Sequence, residues 1–513
     1  MKYSLITIFS ILLYVSCFSQ IKPNSLFADH MVLQRSVMVP VWGTAKEGEI
    51  VTVEFAGQKK STVAANGRWM IKLSPLKGGG PFTMTIRGSN TIIINNVLVG
   101  EVWLCSGQSN MGFPLRSVRA KGKYPKIETV LADAQNYPLI RQFGIPLKKS
   151  TSTPSLVNDV NGKWMVCDSV NAKNFSAVAY FYAKELNKKL KIPIGIINAS
   201  YGGTAAENWI NLDLLKGDSS LKSIVTNYTK TATDFPATLG KYRTNETVLY
   251  NKYKVDSAMA VEQKKELPRK PSVPMNPSER GGPGGLYNTM IAPLMPFAIK
   301  GVVWYQGEAN GSRGIQYRTL LPLLINNWRN NWGIGNFPFL IVQIPGWKGH
   351  QPELREAQLL TWQKVPNTTM TVINDCDDTV DVHPGNKQPV GERLSLAALT
   401  TVYGENKEYS GPVYQSMKVE GNKIILYFTH VGKGLVAKKG ELKDFVIATA
   451  NKNFVPAKAM IKNNTIIVSA DGIENPVAVR LGWRLCPQVN LYNQEGLPAT
   501  PFRTDINYTV NHN

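Results

Sequence analysis

The sequence predicts an α/β core with a mainly parallel sheet, flanked at both ends by β structure. Three observations carry this expectation. Short apolar, β-prone runs alternate with helical patterns from about Val97 to Gly404, as they do when strands are joined by helical crossovers. Polar and apolar residues alternate with period two between Ile21 and about Asn96, and the alternation returns after Gly411, as expected of strands with one buried face. A chain of 513 residues has room for about three domains of ~150 residues, and 43% hydrophobic against 18% charged residues fits a globular protein with ample core.

Residues 1–19 hold a single Lys2, an apolar run from Leu5 to Val15, and then Ser16-Cys17-Phe18-Ser19. This is the plan of a secretory signal, too short to span a membrane as a mature helix. Cleavage is expected after Ser19, giving an exported chain, periplasmic or secreted, that starts at Gln20. A lipid anchor on Cys17 is the alternative, weakened by Tyr14 where such signals usually carry leucine.

In the N-terminal β region, expected over 20–96, Val51, Val53 and Phe55 lie between polar neighbours, and Asn66-Gly67 suits a two-residue hairpin turn. Gly78-Gly79-Gly80-Pro81 reads as another turn. The core, expected over 97–404, shows strand-like runs at 97–105, 192–198, 299–305, 339–344 and 369–373. Phe175, Val178, Phe181, Tyr182, Leu186 and Leu190 recur at helical spacing, and helical patterns also cover 317–328 and 388–400. A Lys-rich polar stretch at 213–280 interrupts the alternation and runs into Gly281-Gly282-Pro283-Gly284-Gly285; it reads as an inserted helical excursion or lid. The tail, 405–513, is expected to be β, with turns at Gly421-Asn422 and Asn463-Asn464 and no tandem repeat.

Behind the leader stand Cys105, Cys167, Cys376 and Cys486, too widely spaced for a metal-ligand pattern and with nothing that demands pairing. A net charge of +22 suits acidic partners, whether polyanionic glycans, membrane surfaces or nucleic acid. No Lys/Arg run exceeds a few residues, so a generally basic surface is the better reading and no nucleic-acid partner is expected.

The most specific segment is Glu101-Val102-Trp103-Leu104-Cys105-Ser106-Gly107-Gln108-Ser109-Asn110-Met111, which presents hydroxyls just past the end of a predicted strand. Open α/β sheets place their chemistry there. A nucleophilic serine needs a base, and the chain has only five histidines. His30 and His430 fall in the β regions, His512 in the terminal tail, and His350 in a Gly/Pro-rich loop. His383 follows a strand near the end of the α/β region and has Asp375, Asp377, Asp378 and Asp381 before it. One of these carboxylates is expected to orient the imidazole, and Asp381 is nearest. Four aspartates could instead hold calcium, but the glycine and terminal glutamate of an EF-hand loop are missing. Oxyanion donors are available in Asn198-Ala199-Ser200-Tyr201-Gly202-Gly203-Thr204 and Tyr305-Gln306-Gly307-Glu308, each at the end of a predicted strand.

The block from Cys105 to Met111 resembles the first block of SGNH-type esterases, in the Ser-Gly-Gln-Ser-Asn-Met form of the sialate O-acetylesterase family. The resemblance extends through Phe27 to Arg35, Phe175 to Phe181, Gly202-Gly203-Thr204, Leu286 to Asn288 and on to Glu308, Asp381-Val382-His383-Pro384, and Gly482 to Asn493. It implies a flavodoxin-like, three-layer SGNH core. Ser109 would be the nucleophile and His383 the base, with Ser109 N–H, Gly203 N–H and the Gln306 side chain forming the oxyanion hole; Ser106 becomes a turn residue. Two positions depart from the pattern: the acid usually stands three residues before the histidine, where this chain has Val380, and Gln306 replaces the more usual asparagine. The segment also lacks the second glycine of an α/β-hydrolase elbow.

The resemblance implies a carbohydrate esterase that forms an acetyl-enzyme on O-acetylated sialic acids, without cofactor or metal. Arg355, in Glu353 to Gln358, is the candidate contact for a sialate carboxylate, with a surface ion pair to Glu353 or Glu356 as the alternative. Glu308 is a second candidate substrate contact. The rival readings are an acetylesterase for xylan or other plant polysaccharides, and a glycan-binding protein on an inactive hydrolase scaffold.

Overall fold

The structure, a computed structural model, describes residues 20–505 except 120, 121, 123, 151 and 377–380. The expected leader, with Cys17, lies outside the described residues, as do Asp377 and Asp378. The central sheet contains β1 (Thr91–Gly107), β2 (Ile140–Gly144), β3 (Lys163–Val166), β4 (Ile194–Ser200), β5 (Gly301–Tyr305), β6 (Phe339–Val342) and β7 (Thr368–Thr371), in the order β3-β2-β4-β1-β5-β6-β7. All these pairs are parallel except β3 with β2. β1 therefore has β4 on one side and β5 on the other, which makes its carboxyl end the point where strand order reverses and a crevice opens.

β1 is longer than the run that announced it. Of its first six residues all but Ile94 are at least partly exposed, and this part pairs with the strand Gly79–Arg87, while from Val97 onward every residue is buried. The sequence reveals only that second part, because a strand covered on both faces is a continuous apolar run. β2 and β3 escaped notice: β2 is short and contains Arg141 and Gln142, both buried.

Five helices matter for the site: α1 (Ala177–Leu190), α2 (Lys222–Glu262), α3 (Gly314–Trp332), α4 (Pro352–Lys364) and α5 (Gln388–Thr401). Trp103 of β1 meets Tyr182 of α1 edge-on at 5.4 Å, and Trp304 of β5 meets Trp328 of α3 at 5.6 Å. Trp304 pairs with Ser106, three positions from Trp103, so the two indoles point to opposite faces. The sheet thus lies between α1 and α3. α4 packs on α3, and α5 packs on α1. The last contact is tight: a Cβ on Gly391 would lie 2.5 Å from Phe181 Cβ and 2.8 Å from Tyr182 N. Only glycine lets the two helices meet this closely, and the contact brings the segment before α5 toward the end of β1.

The polar stretch after residue 213 is helical, as expected, but as one 41-residue helix, α2, about 60 Å long and mostly exposed. Its near end is fastened where Tyr228 Oη lies 2.6 Å from Ser278 Oγ and 2.9 Å from Thr153 Oγ1.

The N-terminal strands differ from expectation in two places. Asn66-Gly67 does turn tightly, with Ala65 bridging Arg68, but the strands on either side part. Gln58–Val63 pairs with Ile50–Phe55, and Arg68–Leu73 pairs with Val39–Thr44. Gly78 to Pro81 is not a turn: Gly79–Arg87 begins there as a bulged strand against β1. The C-terminal turns at Gly421-Asn422 and Asn463-Asn464 both close two-residue hairpins. One apolar core runs from Ile21 to Val413, and a second fills the C-terminal sheets from Ile424 to Phe502.

Candidate active site

Ser109 opens a one-turn helix, Ser109–Gly112, directly after β1. The preceding backbone is pressed against β5: Gln108 N–H donates to Tyr305 O at 3.1 Å, and a Cβ on Gly107, at φ +138°, would stand 2.1 Å from the same oxygen. Glycine is required there on both counts. The far end of the turn is tied to α1. Ser176, the N-cap of α1, accepts from Ala179 N–H at 3.2 Å and donates through its hydroxyl to Met111 O at 2.6 Å.

His383 Nε2 lies 2.7 Å from Ser109 Oγ. Burial holds the imidazole below its ordinary proton affinity; Asp381 opposes this and the Lys387 charge adds to it. Asp381 Oδ1 accepts the His383 backbone N–H at 2.8 Å and stands 3.7 Å from Nδ1, while Oδ2 takes Arg119 Nη2 at 2.6 Å. Arg119, first by that hydrogen bond, holds the Asp381 carboxyl below its usual range. Arg119 also reaches His383 O at 3.3 Å, so it braces the loop. Asp375, by contrast, is committed to Arg393 with contacts of 2.6 Å to both oxygens.

Ser109 and His383 line a pocket of about 620 Å³. Phe113, Ile145, Leu147 and Met165 supply an apolar side, and Gln142, Asn174, Asn198 and Ser200 a polar one. Among the described residues no lysine or arginine lines it; Arg116 stands behind, donating to Asn174 Oδ1. Gly202 packs on Ser109, where a Cβ would lie 3.3 Å from Ser109 Cβ. Gly203 follows it, and its carbonyl accepts from Arg280 Nη1 at 3.1 Å.

Three sequence-based expectations need correction. Gln306 is buried, and its amide hydrogens go to Thr204 O at 3.1 Å and Asn310 Oδ1 at 2.8 Å, while Oε1 accepts from Tyr317 Oη at 2.9 Å. It fastens the loops after β4 and β5 together instead of facing the nucleophile. Glu308 turns inward, with Oε1 accepting from Asn110 Nδ2 at 2.5 Å and Oε2 enclosed without a hydrogen-bond partner among the described residues. Burial raises its pKa. Arg355 is 0% exposed, and its guanidinium donates to the carbonyls of Arg484 and Leu485. It fixes the C-terminal segment to α4 and is not among the residues that line the Ser109 pocket; Glu356 binds Arg318 and Arg503.

Sequence reasoning missed a buried cation. Lys387, 0% exposed, donates from Nζ to Asn110 Oδ1 and lies 4.9 Å and 5.4 Å from the ring centroids of Phe113 and Tyr305. Burial pulls its pKa down to about 7, with Glu308 opposing. Asn110 Nδ2 also donates to Val382 O at 3.0 Å. The available signal was a lysine four residues after His383 at the mouth of an apolar helix.

Residues 276–400 match the family model for carbohydrate esterase, sialic acid-specific acetylesterase. The chain is 30% identical to sialate O-acetylesterase of Rattus norvegicus, with 94% of each chain covered. It is 29% identical to that of Homo sapiens, with 93% of this chain and 91% of the relative covered. Among solved structures, a carbohydrate acetylesterase from Xanthomonas citri superposes with a TM-score of 0.78 at 33% identity, covering 95% of this chain and all of the other. A serine and histidine in contact at the crevice of a parallel sheet, in such company, define the class: this is a carboxylic-ester hydrolase. Within that class the chain belongs to the sialate O-acetylesterase family.

Two outcomes are expected. Arg355→Ala should lower stability by about 2–4 kcal/mol, because buried carbonyls lose a charged donor, and leave the ratio of kcat/KM between acidic and neutral acetylated sugars unchanged. Urea unfolding and a two-substrate assay check both parts. Because His383 is held below about 6.5, its neutral, proton-accepting form prevails above that pH. The ascending limb of kcat/KM should therefore have its midpoint below about 6.5 and be lost as pH falls through it, as a pH-rate profile would record.

Proposed function

We propose that the protein removes acetyl groups from sugar hydroxyls through an acetyl-enzyme. The observation that carries this reading is the 2.7 Å contact between Ser109 Oγ and His383 Nε2 on the wall of an open pocket. In the proposed reaction His383 takes the Ser109 proton as Oγ attacks the acetyl carbonyl carbon. The oxyanion forms beside Ser109 N–H and the Gly202-Gly203 turn. The bond to the sugar oxygen then breaks as His383 returns the proton to it. A water, deprotonated by the same imidazole, attacks the acetyl carbon; the bond from that carbon to Ser109 Oγ breaks, His383 returns the proton to Oγ, and acetate leaves. Asp381, with Arg119 behind it, holds the loop and favours the imidazolium; Gln306 keeps the two oxyanion loops together.

The names of the relatives support O-acetylated sialic acid as the substrate. A second reading, acetylated xylan or another neutral glycan, is favoured by one observation: among the described residues the pocket lining holds amides, hydroxyls, apolar groups, His383 and the Asp381 carboxylate, but no lysine or arginine to meet a sialate carboxylate. The three-part organisation expected from the sequence, with an SGNH-like core between β regions, belongs to the same proposal. So does export, which the apolar Leu5 to Val15 run supports.

Ser109→Ala should reduce turnover of an acetyl ester by several orders of magnitude, on the order of 10⁶ by analogy with triad knockouts, with thermal unfolding little changed. Near-normal activity in Ser109→Ala together with its loss in Ser106→Ala would sink the assignment. Acetate release from O-acetylated sialic acid and from acetylated xylo-oligosaccharides, compared by kcat/KM, decides the substrate; a faster neutral sugar selects the second reading. Native protein should begin at Gln20 by intact mass, and a diacylglyceryl-modified Cys17 would replace export in free form with a lipid anchor.

A further inference from the structure

The segment 382–387 and the turn 109–112 are held together by side chains that are not reacting groups. Lys387 Nζ donates to Asn110 Oδ1, and Asn110 Nδ2 donates to Val382 O at 3.0 Å and Glu308 Oε1 at 2.5 Å. Asn110 follows the nucleophile, and Val382 precedes the base. A single amide thus spans both halves of the catalytic pair, and its own orientation is fixed by an ammonium on one side and a carboxyl on the other. An ammonium fully enclosed at this place is costly unless its hydrogens and charge are met. Here they are met by Asn110 and by the faces of Phe113 and Tyr305.

We infer that Lys387 is a positioning residue, which locks the Ser109 turn to the His383 loop through Asn110. The inference rests on the esterase reading of Ser109 and His383. Charged groups among the described residues face both side chains. His383 is faced by Asp381 from its own loop and by Lys387, with Arg119 on the far side of Asp381. Lys387 is faced by Glu308 after β5, by the buried Cys376 thiol after β7, by Asp381 and by Arg119. Asp375, beside Cys376, is neutralised by Arg393. Of the groups near His383, Lys387 is the buried cation, where attraction and repulsion are least screened. An ammonium there disfavours the imidazolium, keeping the base free of its proton to a lower pH. It also keeps Ser109 and His383 in register, because a shift of either segment must break the Asn110 bridge.

The test uses the full chain with Lys387→Gln, which keeps an amide donor for Asn110 but removes the charge, and Lys387→Met, which removes both. Two readouts are taken: kcat and KM for 4-nitrophenyl acetate against pH, and the titration of the His383 ring by NMR on histidine-labelled protein, assigned with His383→Asn. In Lys387→Gln the ring midpoint and the ascending limb should rise together by about half a pH unit or more. In Lys387→Met the same rise should accompany a ~10-fold or larger fall in kcat, with KM within about twofold. A folded Lys387→Gln protein whose ring midpoint is unmoved, or moves down, overturns the inference. Should neither variant fold, Asn110→Ala decides, because it cuts the bridge and keeps the Lys387 charge: kcat should fall ~10-fold or more with KM within about twofold, and an unchanged kcat overturns the inference. Retained ester turnover in Ser109→Ala overturns the esterase reading instead. A Ser109-dependent enzyme whose His383 midpoint ignores Lys387 overturns only the positioning role.

Discussion

The catalytic arrangement depends on a contact between helices. Ser109 and His383 are separated by 274 positions in the chain, and β7, which leads to His383, lies three strands from β1. What returns the chain to the nucleophile is the seating of α5 on α1, possible only because Gly391 has no side chain to hold Phe181 and Tyr182 away. α1 is in turn fixed to the nucleophile turn by the Ser176 hydroxyl on Met111 O. The packing of two apolar helix faces therefore sets a hydrogen bond between two polar groups, and the tolerance of the second is inherited from the first.

Much of this was legible in the sequence, and what was not has identifiable causes. α1, α3 and α5 were announced by apolar spacing, and β4 to β7 by runs that sheet burial keeps continuous. β2 was hidden because Arg141 and Gln142 point into protein; Gln142 caps nothing apolar but accepts from Ser176 N–H at 3.1 Å. That Ser109, His383 and Asp381 meet could be anticipated because the nucleophile and base chemistry we propose for them admits few residue types. The other assignments failed for a common reason. Gln306, Glu308 and Arg355 are polar residues in or near functional loops, and nothing local distinguishes a side chain that meets a ligand from one that satisfies buried carbonyls. Lys387 was missed for the converse reason: a lysine at a helix start reads as surface, and only the tertiary structure encloses it.

Charge does less for recognition here than the net value suggests. The chain carries a net +22, whereas the described lining of the pocket holds amides, hydroxyls, apolar groups, His383 and the Asp381 carboxylate, and Arg116 and Arg119 beside it are engaged with Asn174 and Asp381. At physiological salt a surface field fades within about 8 Å. The field can speed the approach of an acidic glycan, but discrimination between sugars falls to shape and to amide and hydroxyl contacts within the pocket.

The fastening of the C-terminal segment bears on how such a chain could be cut or recombined. Arg355, Gln343, Asn374 and Glu356 of the α/β core reach Arg484 and Leu485, Thr500, Ala499 and Arg503, respectively. All four anchors are buried. A chain ended near residue 405 would take from these four buried side chains the partners that the C-terminal segment supplies, beside α4, the helix that also holds Gln306 O through Gln358. The C-terminal sheets have their own core, yet they are not a detachable accessory. In gene rearrangement this region can be exchanged only together with the surface of α4, so the α/β part and its C-terminal partner are bound to evolve as one heritable unit.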